Sequence, residues 1–154
     1  KAIGVTRTEA KEFIDEYFAR YATIRKFMDD CIEKARKTGF AETILHRRRR
    51  IEGLNSRNGN TRAQAERMVV NTVIQGSAAD LIKKAMINIH RRIDRGKPQV
   101  RMILQIHDEL VFEAPRQEAD QHTKWITDEM AGAIELDVPL KVDAAVGDSW
   151  LADK

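Results

Sequence analysis

Cysteine occurs once in these 154 residues, and no run of apolar residues is long. A lone Cys31 can build neither a disulfide framework nor a cysteine zinc site, which points to a reducing compartment. No apolar stretch approaches the roughly 18 residues that a membrane span requires, so no membrane partner is expected. The opening Lys1-Ala2-Ile3-Gly4 lacks the shape of a signal peptide. What the chain does contain is 42% hydrophobic and 33% charged residues, enough to bury a core and stay in solution as one domain or a large part of one.

Net charge is only +3, yet its distribution is lopsided. Residues 46–101 hold 14 Lys/Arg against 4 Asp/Glu, a local balance of +10. Residues 102–154 hold 4 against 12, a balance of −8. A basic central third is the electrostatic footprint of a polyanion binder. The bland alternative is a solvated surface whose charges compensate one another.

Hydrophobic periodicity lays out the elements. Thr6-Arg7-Thr8-Glu9 fits a capping box, followed by Ala10, Phe13, Ile14, Tyr17, Phe18 and Tyr21 at helical spacing. A second helix carries Ile24, Phe27, Met28, Cys31, Ile32 and Ala35 and stops at Gly39. Both read as scaffold, with Cys31 a small core residue. Residues 40–46 read as a short strand running into Arg47–Arg50 and an irregular Gly/Asn-rich stretch. From a capping box at Thr61 to Arg95 no proline intervenes, which predicts one long helix ended by Gly96. Val100, Met102, Leu104 and Ile106 alternate as a strand, residues 109–114 form a second strand, and His107-Asp108 lies at the turn between them. An amphipathic helix over 116–134 uses Ala119, His122, Ile126, Met130 and Ala133, and residues 140–146 (LKVDAAV) read as a last strand. With no repeat and no linker, the expectation is an α+β chain in a single packed unit.

Two patterns carry chemistry. Gln105-Ile106-His107-Asp108-Glu109 sets two carboxylates at a hairpin tip between apolar strands. Neighbours in a strand face opposite ways, so only one of Asp108 and Glu109 is the better ligand for a metal. A hard cation such as Mg2+ takes oxygen ligands, usually one or two carboxylates together with phosphate oxygens. Standing alone, the motif reads more simply as a charged turn between strands. On the long helix, Arg67, Asn71 and Gln75 fall four apart and stack on one face. Such a donor row can meet the minor-groove acceptors that every base pair presents, without reading sequence. Its bland counterpart is a solvated helix face. Directly after the row come Gly76, Ser77, Ala78 and Ala79, small enough to let another backbone approach.

VVNTVIQGSAADLIKKAMI (residues 69–87), followed by MILQIHDELVFEAP (residues 102–115), resembles the C-terminal palm of family A DNA polymerases, the DNA polymerase I type. The likeness extends upstream through RAQAERM, NSRNG and ETILHRRRR to TRTEAKEFIDEYFARY, and downstream to VPLKVDAAVGDSW. It covers nearly the whole chain, in order and with short gaps.

The resemblance implies a fold and a set of roles. The fold is part of a polymerase palm, with antiparallel strands and a catalytic hairpin packed against long helices. Residues 1–39 would be a helical segment adjoining the fingers. Residues 40–154 would be the C-terminal palm segment, with a DNA-contacting helix over about 61–95 and a metal-binding hairpin over about 99–114. Asp108 would be a catalytic metal ligand, Glu109 a lesser catalytic contributor, and His107 a neighbour of the primer terminus. Arg67, Asn71 and Gln75 would contact the primer–template duplex. Arg47, Arg48 and Arg49 resemble a basic segment of the family suited to phosphate contact. That segment commonly continues with an aromatic and a proline, whereas Arg50-Ile51-Glu52-Gly53 stands here.

The implied function is DNA-directed DNA synthesis in replication and repair, by a nucleoid-associated cytoplasmic enzyme. Deoxynucleoside triphosphates would extend a primer with the help of two Mg2+ ions in the complete enzyme. The family's earlier aspartate motif and nucleotide-gripping fingers helix have no counterpart in the chain, so the remaining polymerase chain upstream is an expected partner. The 154 residues alone are expected to be inactive. A non-catalytic duplex-binding fragment is the alternative.

Overall fold

In the computed structural model, which describes residues 4–150, Thr6 and Glu9 cap helix α1 (Arg7–Arg20) reciprocally. The Glu9 carboxylate accepts from the Thr6 amide at 2.7 Å, and the Thr6 hydroxyl accepts from the Glu9 amide at 3.3 Å. Helix α2 (Ala22–Thr38) ends at Gly39, whose φ of +79° is the left-handed turn that glycine adopts at little cost. The apolar rows of the two helices differ in outcome. Cys31, Ile32 and Ala35 of α2 pack into a core, where burial pushes the Cys31 thiol up. No residue of α1 is buried, and Phe13 stands 69% exposed. The periodicity identified α1 as a helix; within the described residues it is not packed as scaffold.

Strand β1 (Phe40–Glu42) is shorter than expected, because the chain turns at residues 44–45 and returns as β2 (Arg48–Arg50). The two pair antiparallel, with Phe40 opposite Arg50 and Glu42 opposite Arg48. Helix α3 (Gly59–Gly96) is 38 residues long and begins before Thr61. The carboxamide oxygen of Asn58 accepts from the amides of Asn60 and Thr61 at 2.9 and 3.3 Å, so Asn58 satisfies the first free donors in place of the expected Thr61 box. At its far end the left-handed residue is Lys97 (φ +47°) rather than Gly96, with the Lys97 amide donating to the Ile93 carbonyl at 2.7 Å.

The chain divides into two compact units, Lys1–Ser77 and Ala78–Lys154, where a single unit was expected. The physical reason lies in α3, whose two halves join different cores. In the first unit, Ala65 and Val69 pack with Ala35, Ala41, Ile51 and Leu54. In the second, Ile89 packs with Val100 and Ile126, flanked by Met102, Leu110, Phe112 and Trp125.

In the second unit, β3 (Arg101–Ile106) and β4 (Glu109–Glu113) form an antiparallel hairpin. A bulge at Ile103 breaks the alternation predicted for β3. Met102 pairs with Phe112 but Leu104 with Val111, so Leu104 lies on the face opposite Met102 and is 47% exposed. A 3-10 turn (Arg116–Glu118) leads into helix α4 (Ala119–Ala131). There His122 is buried, its Nδ1 accepting from the Trp125 indole at 3.0 Å while Nε2 faces Glu118 at 3.1 Å. The strand expected over 140–146 does not form. That segment finds no hydrogen-bonded partner strand among the described residues, and a strand exists only through its ladder. No helix among the described residues is long and apolar enough to cross a membrane.

Candidate nucleic-acid interface

Burial of Ala65, Val69 and Thr72 fixes the rotation of α3 in the first unit. The opposite face then points outward, and Arg67, Asn71 and Gln75 are all exposed on it. None of the three side chains has a hydrogen bond or ion pair among the described residues. The row is therefore a line of uncommitted donors, one per helical turn, at about 6 Å intervals along the axis.

The arginine run alternates as a strand must. Arg47 and Arg49 reach α3: Arg47 Nη2 donates to the Gly76 carbonyl at 3.0 Å and Arg49 Nη1 to the Thr72 hydroxyl at 3.4 Å. Arg48 and Arg50 turn the other way, Arg48 Nε donating to Glu42 Oε2 at 3.0 Å and Arg50 lying 3.7 Å from Glu52. Thr72 and Gly76 each follow a row residue by one position, about 100° round the helix, so Arg47 and Arg49 are held on the side of α3 next to the donor row rather than on its face, and Arg48 is paired with Glu42.

Glu42 is a residue that the sequence-based reasoning missed. Its carboxylate accepts from His46 at 3.0 Å, from Arg48 at 3.0 Å and from Lys34 at 3.1 Å. Those hydrogen bonds, His46 first, then Arg48 and Lys34, hold its carboxyl down at about 2. The only signal in the sequence was an acid placed just ahead of four arginines.

The hairpin lies in the second unit. Ile106 pairs with Glu109, leaving His107 and Asp108 as a two-residue turn. His107 takes a φ of +53°, a left-handed value at the first turn position, as the twist of a tight hairpin demands. Gln105 Nε2 donates to the His107 carbonyl at 3.0 Å and steadies the tip. His107, Asp108 and Glu109 are exposed, and neither carboxylate has a side-chain partner among the described residues. Asp108 sits in the turn and Glu109 opens the β4 ladder, so the two are not neighbours within one strand. Among the described residues no group of three or more His, Cys, Asp or Glu side chains gathers to hold a metal. The hairpin thus offers hard oxygen donors of the kind a divalent cation takes, and the described residues do not assemble a full ligand set around them.

The family model for DNA polymerase family A matches residues 1–152. The chain is 47% identical to DNA polymerase I of Bacillus subtilis (strain 168) over 148 residues, which make up 96% of this chain and 17% of that protein. It is 45% identical to DNA polymerase I of Geobacillus stearothermophilus over the same shares of the two chains. A solved structure, the POL domain of Pol1 from M. smegmatis in complex with DNA primer-template and dNTP, superposes with a TM-score of 0.85 at 40% identity. That likeness covers 91% of this chain and 25% of that one. The chain accordingly spans about a sixth of the length of the curated relatives that it matches.

Proposed function

This chain belongs to DNA polymerase family A, and from that premise we propose that it is part of a DNA-directed DNA polymerase that adds deoxynucleotides to a primer 3′ end. The observation that carries the proposal is the α3 row: Arg67, Asn71 and Gln75 stand exposed and uncommitted on the face opposite the core. Three donors in line suit the acceptors of a duplex minor groove, which are present whatever the sequence. Arg47, Arg48 and Arg49 would add cations for the phosphates, Arg48 while also pairing with Glu42. Residues 1–39 would adjoin the fingers and residues 40–154 would form the C-terminal palm segment.

In the reaction, the primer 3′-hydroxyl attacks the α-phosphate of a deoxynucleoside triphosphate and pyrophosphate leaves. Asp108 would hold a divalent cation, Mg2+ by the chemistry of its oxygen donor, with Glu109 beside it in a lesser role. When bound, such an ion neutralises charge that develops on the phosphoryl oxygens. His107, at the left-handed tip, would approach the primer terminus. Two ions about 3.5–4 Å apart need more carboxylate than Asp108 supplies. The 154 residues alone would therefore bind duplex without extending it.

The test is a chimera in which this chain replaces the matched segment of a DNA polymerase I relative. It is expected to extend a primer, and Asp108→Asn in it to abolish extension while duplex affinity stays within about twofold, since the carboxylate serves phosphoryl transfer rather than grip. Full extension by the Asp108→Asn chimera would sink the assignment of Asp108. Failure of the unaltered chain to bind duplex would sink the donor row.

A further inference from the structure

The small residues after the donor row admit a particular neighbour. At Gly76 and Ser77 it is the turn from Thr43 to Arg47. A Cβ built on Gly76 would come within 2.6 Å of Thr43 Cγ2 and 3.4 Å of Arg47 Nη2, so any larger residue there would force a shift. Hydrogen bonds fasten the approach: the Ile44 amide donates to Ser77 Oγ at 2.9 Å, and Arg47 Nη2 donates to the Gly76 carbonyl at 3.0 Å. Within the turn, the Arg47 amide donates to Thr43 Oγ1 at 3.1 Å and the Thr43 amide to the Arg47 carbonyl at 3.0 Å. The Ser77 hydroxyl in turn donates to the Val73 carbonyl, leaving its lone pairs to receive Ile44. Thr43 is buried. Glycine within a helix is unfavourable relative to alanine, and at position 76 the close approach of Thr43 accounts for it.

We propose that Gly76, Thr43 and Ser77 are positioning residues. They form a tight joint that holds Arg47 and Arg49 against the Thr72–Gly76 side of α3, about a quarter-turn from Asn71 and Gln75, from where the guanidinium groups would reach the phosphates of a duplex seated on the row. The role in binding rests on the function proposed above, whereas the joint itself does not. Arg49 reaches Thr72 one helical turn before Gly76, so a turn lifted off Gly76 carries both arginines with it. Affinity would then depend on a methyl-sized clearance at a residue that touches no DNA.

The experiment compares the 154-residue chain with Gly76→Ala, Thr43→Ser and the double variant. Thr43→Ser removes the obstructing methyl and keeps the hydroxyl that the Arg47 amide uses. Binding of a labelled primer–template duplex is measured across a salt series, and hydrogen exchange of the Ile44 and Arg47 amides is measured without DNA. Gly76→Ala is expected to weaken binding about tenfold and to flatten the slope of log K against log salt by about 0.9 for each phosphate no longer met by an arginine. Its Ile44 and Arg47 amides exchange faster, although alanine favours the helix. Thr43→Ser alone is expected to cost less than about threefold, and the double variant to recover to about that level, a non-additivity that distant, independent residues do not show. A general folding defect would not be rescued by a smaller residue at 43, nor would it alter the salt slope through counterions. The proposal is overturned by Gly76→Ala that binds with wild-type affinity and slope, or by a loss that Thr43→Ser leaves unrepaired. Unchanged exchange at Ile44 and Arg47 in Gly76→Ala would overturn the joint even if the wild-type chain bound no duplex. Absence of wild-type binding is the separate outcome that removes the polymerase-fragment function.

Discussion

Replacing Arg67, Asn71 and Gln75 by alanine one at a time separates charge from hydrogen bonding at the α3 row. The three side chains have no internal partner among the described residues, so truncation removes nothing from the free chain. Alanine is the better helix former at each position, so melting temperatures should hold steady or rise slightly. Lost affinity can then be read as the intermolecular bond alone. A neutral hydrogen bond contributes about 0.5–1.5 kcal/mol net, so Asn71→Ala and Gln75→Ala should each weaken duplex binding roughly two- to twelvefold. A bond from a charged donor contributes about 1.5–3 kcal/mol, which puts Arg67→Ala at roughly twelve- to 150-fold.

Fluorescence anisotropy with a labelled duplex, repeated at several salt concentrations, supplies both readouts. Arg67→Ala should flatten the salt slope by about 0.9, because one cation no longer displaces a counterion. Asn71→Ala and Gln75→Ala should leave the slope alone and change only the intercept. Changing the base sequence of the duplex should alter none of these values by much, since purine N3 and pyrimidine O2 occur in every pair. If all three variants bind like the wild type, the row is a solvated helix face. A changed slope in Gln75→Ala would show that its effect travels through the arginines instead.

Two further predictions concern stability. Glu42 has a carboxyl pulled down to about 2, so its contribution is present above the ordinary carboxylate value of 4.5 and is lost as pH falls from there towards 2. Urea unfolding followed between pH 5 and pH 2.5 should show Glu42→Gln losing less stability with acid than the wild type, and parallel curves would refute a stabilising role for the bonds that Glu42 accepts from His46, Arg48 and Lys34. Trp125→Phe strands the buried His122 Nδ1 without its indole donor, which should lower stability by about 1–3 kcal/mol in urea titrations. Wild-type stability in that variant would mean that the indole–imidazole bond carries nothing.

What was legible in the sequence follows physical lines. Local chemistry was readable: the Thr6–Glu9 box, the Gly39 stop and the two-residue turn at His107-Asp108 each depend on residues within a few positions. Long-range chemistry was not. The periodicity of α1 gives a face without saying what lies against it, and Phe13 and Tyr17 remain exposed. Alternation in β3 assumes an unbroken ladder, and the extra residue at Ile103 reverses the faces beyond it. Residues 140–146 have the composition of a strand, but a strand needs an edge to pair with. At the site, the donor row was readable because it depends on helix spacing alone. The joint at Gly76 was half readable: the glycine announced a close approach, and only the folded chain names Thr43 as the neighbour.

Charge was the least faithful guide, and the way it misleads bears on function. The balance of +10 over residues 46–101 suggests a broad polyanion surface. Several of its arginines are met by acids from outside that stretch: Arg48 by Glu42, Arg92 by Glu129 and Arg101 by Glu113. Arg50 is met by Glu52 within it. Under the function proposed above, what would mark the interface is instead the α3 row, and two of its three uncommitted donors, Asn71 and Gln75, carry no charge. Arg67, Arg47 and Arg49, each meeting one phosphate, would give a salt slope of about −2.7 at about 0.9 for each phosphate met. Binding through the whole basic third would require a slope several times steeper. A titration of the unaltered chain therefore distinguishes a shaped grip on the duplex from diffuse attraction to its charge.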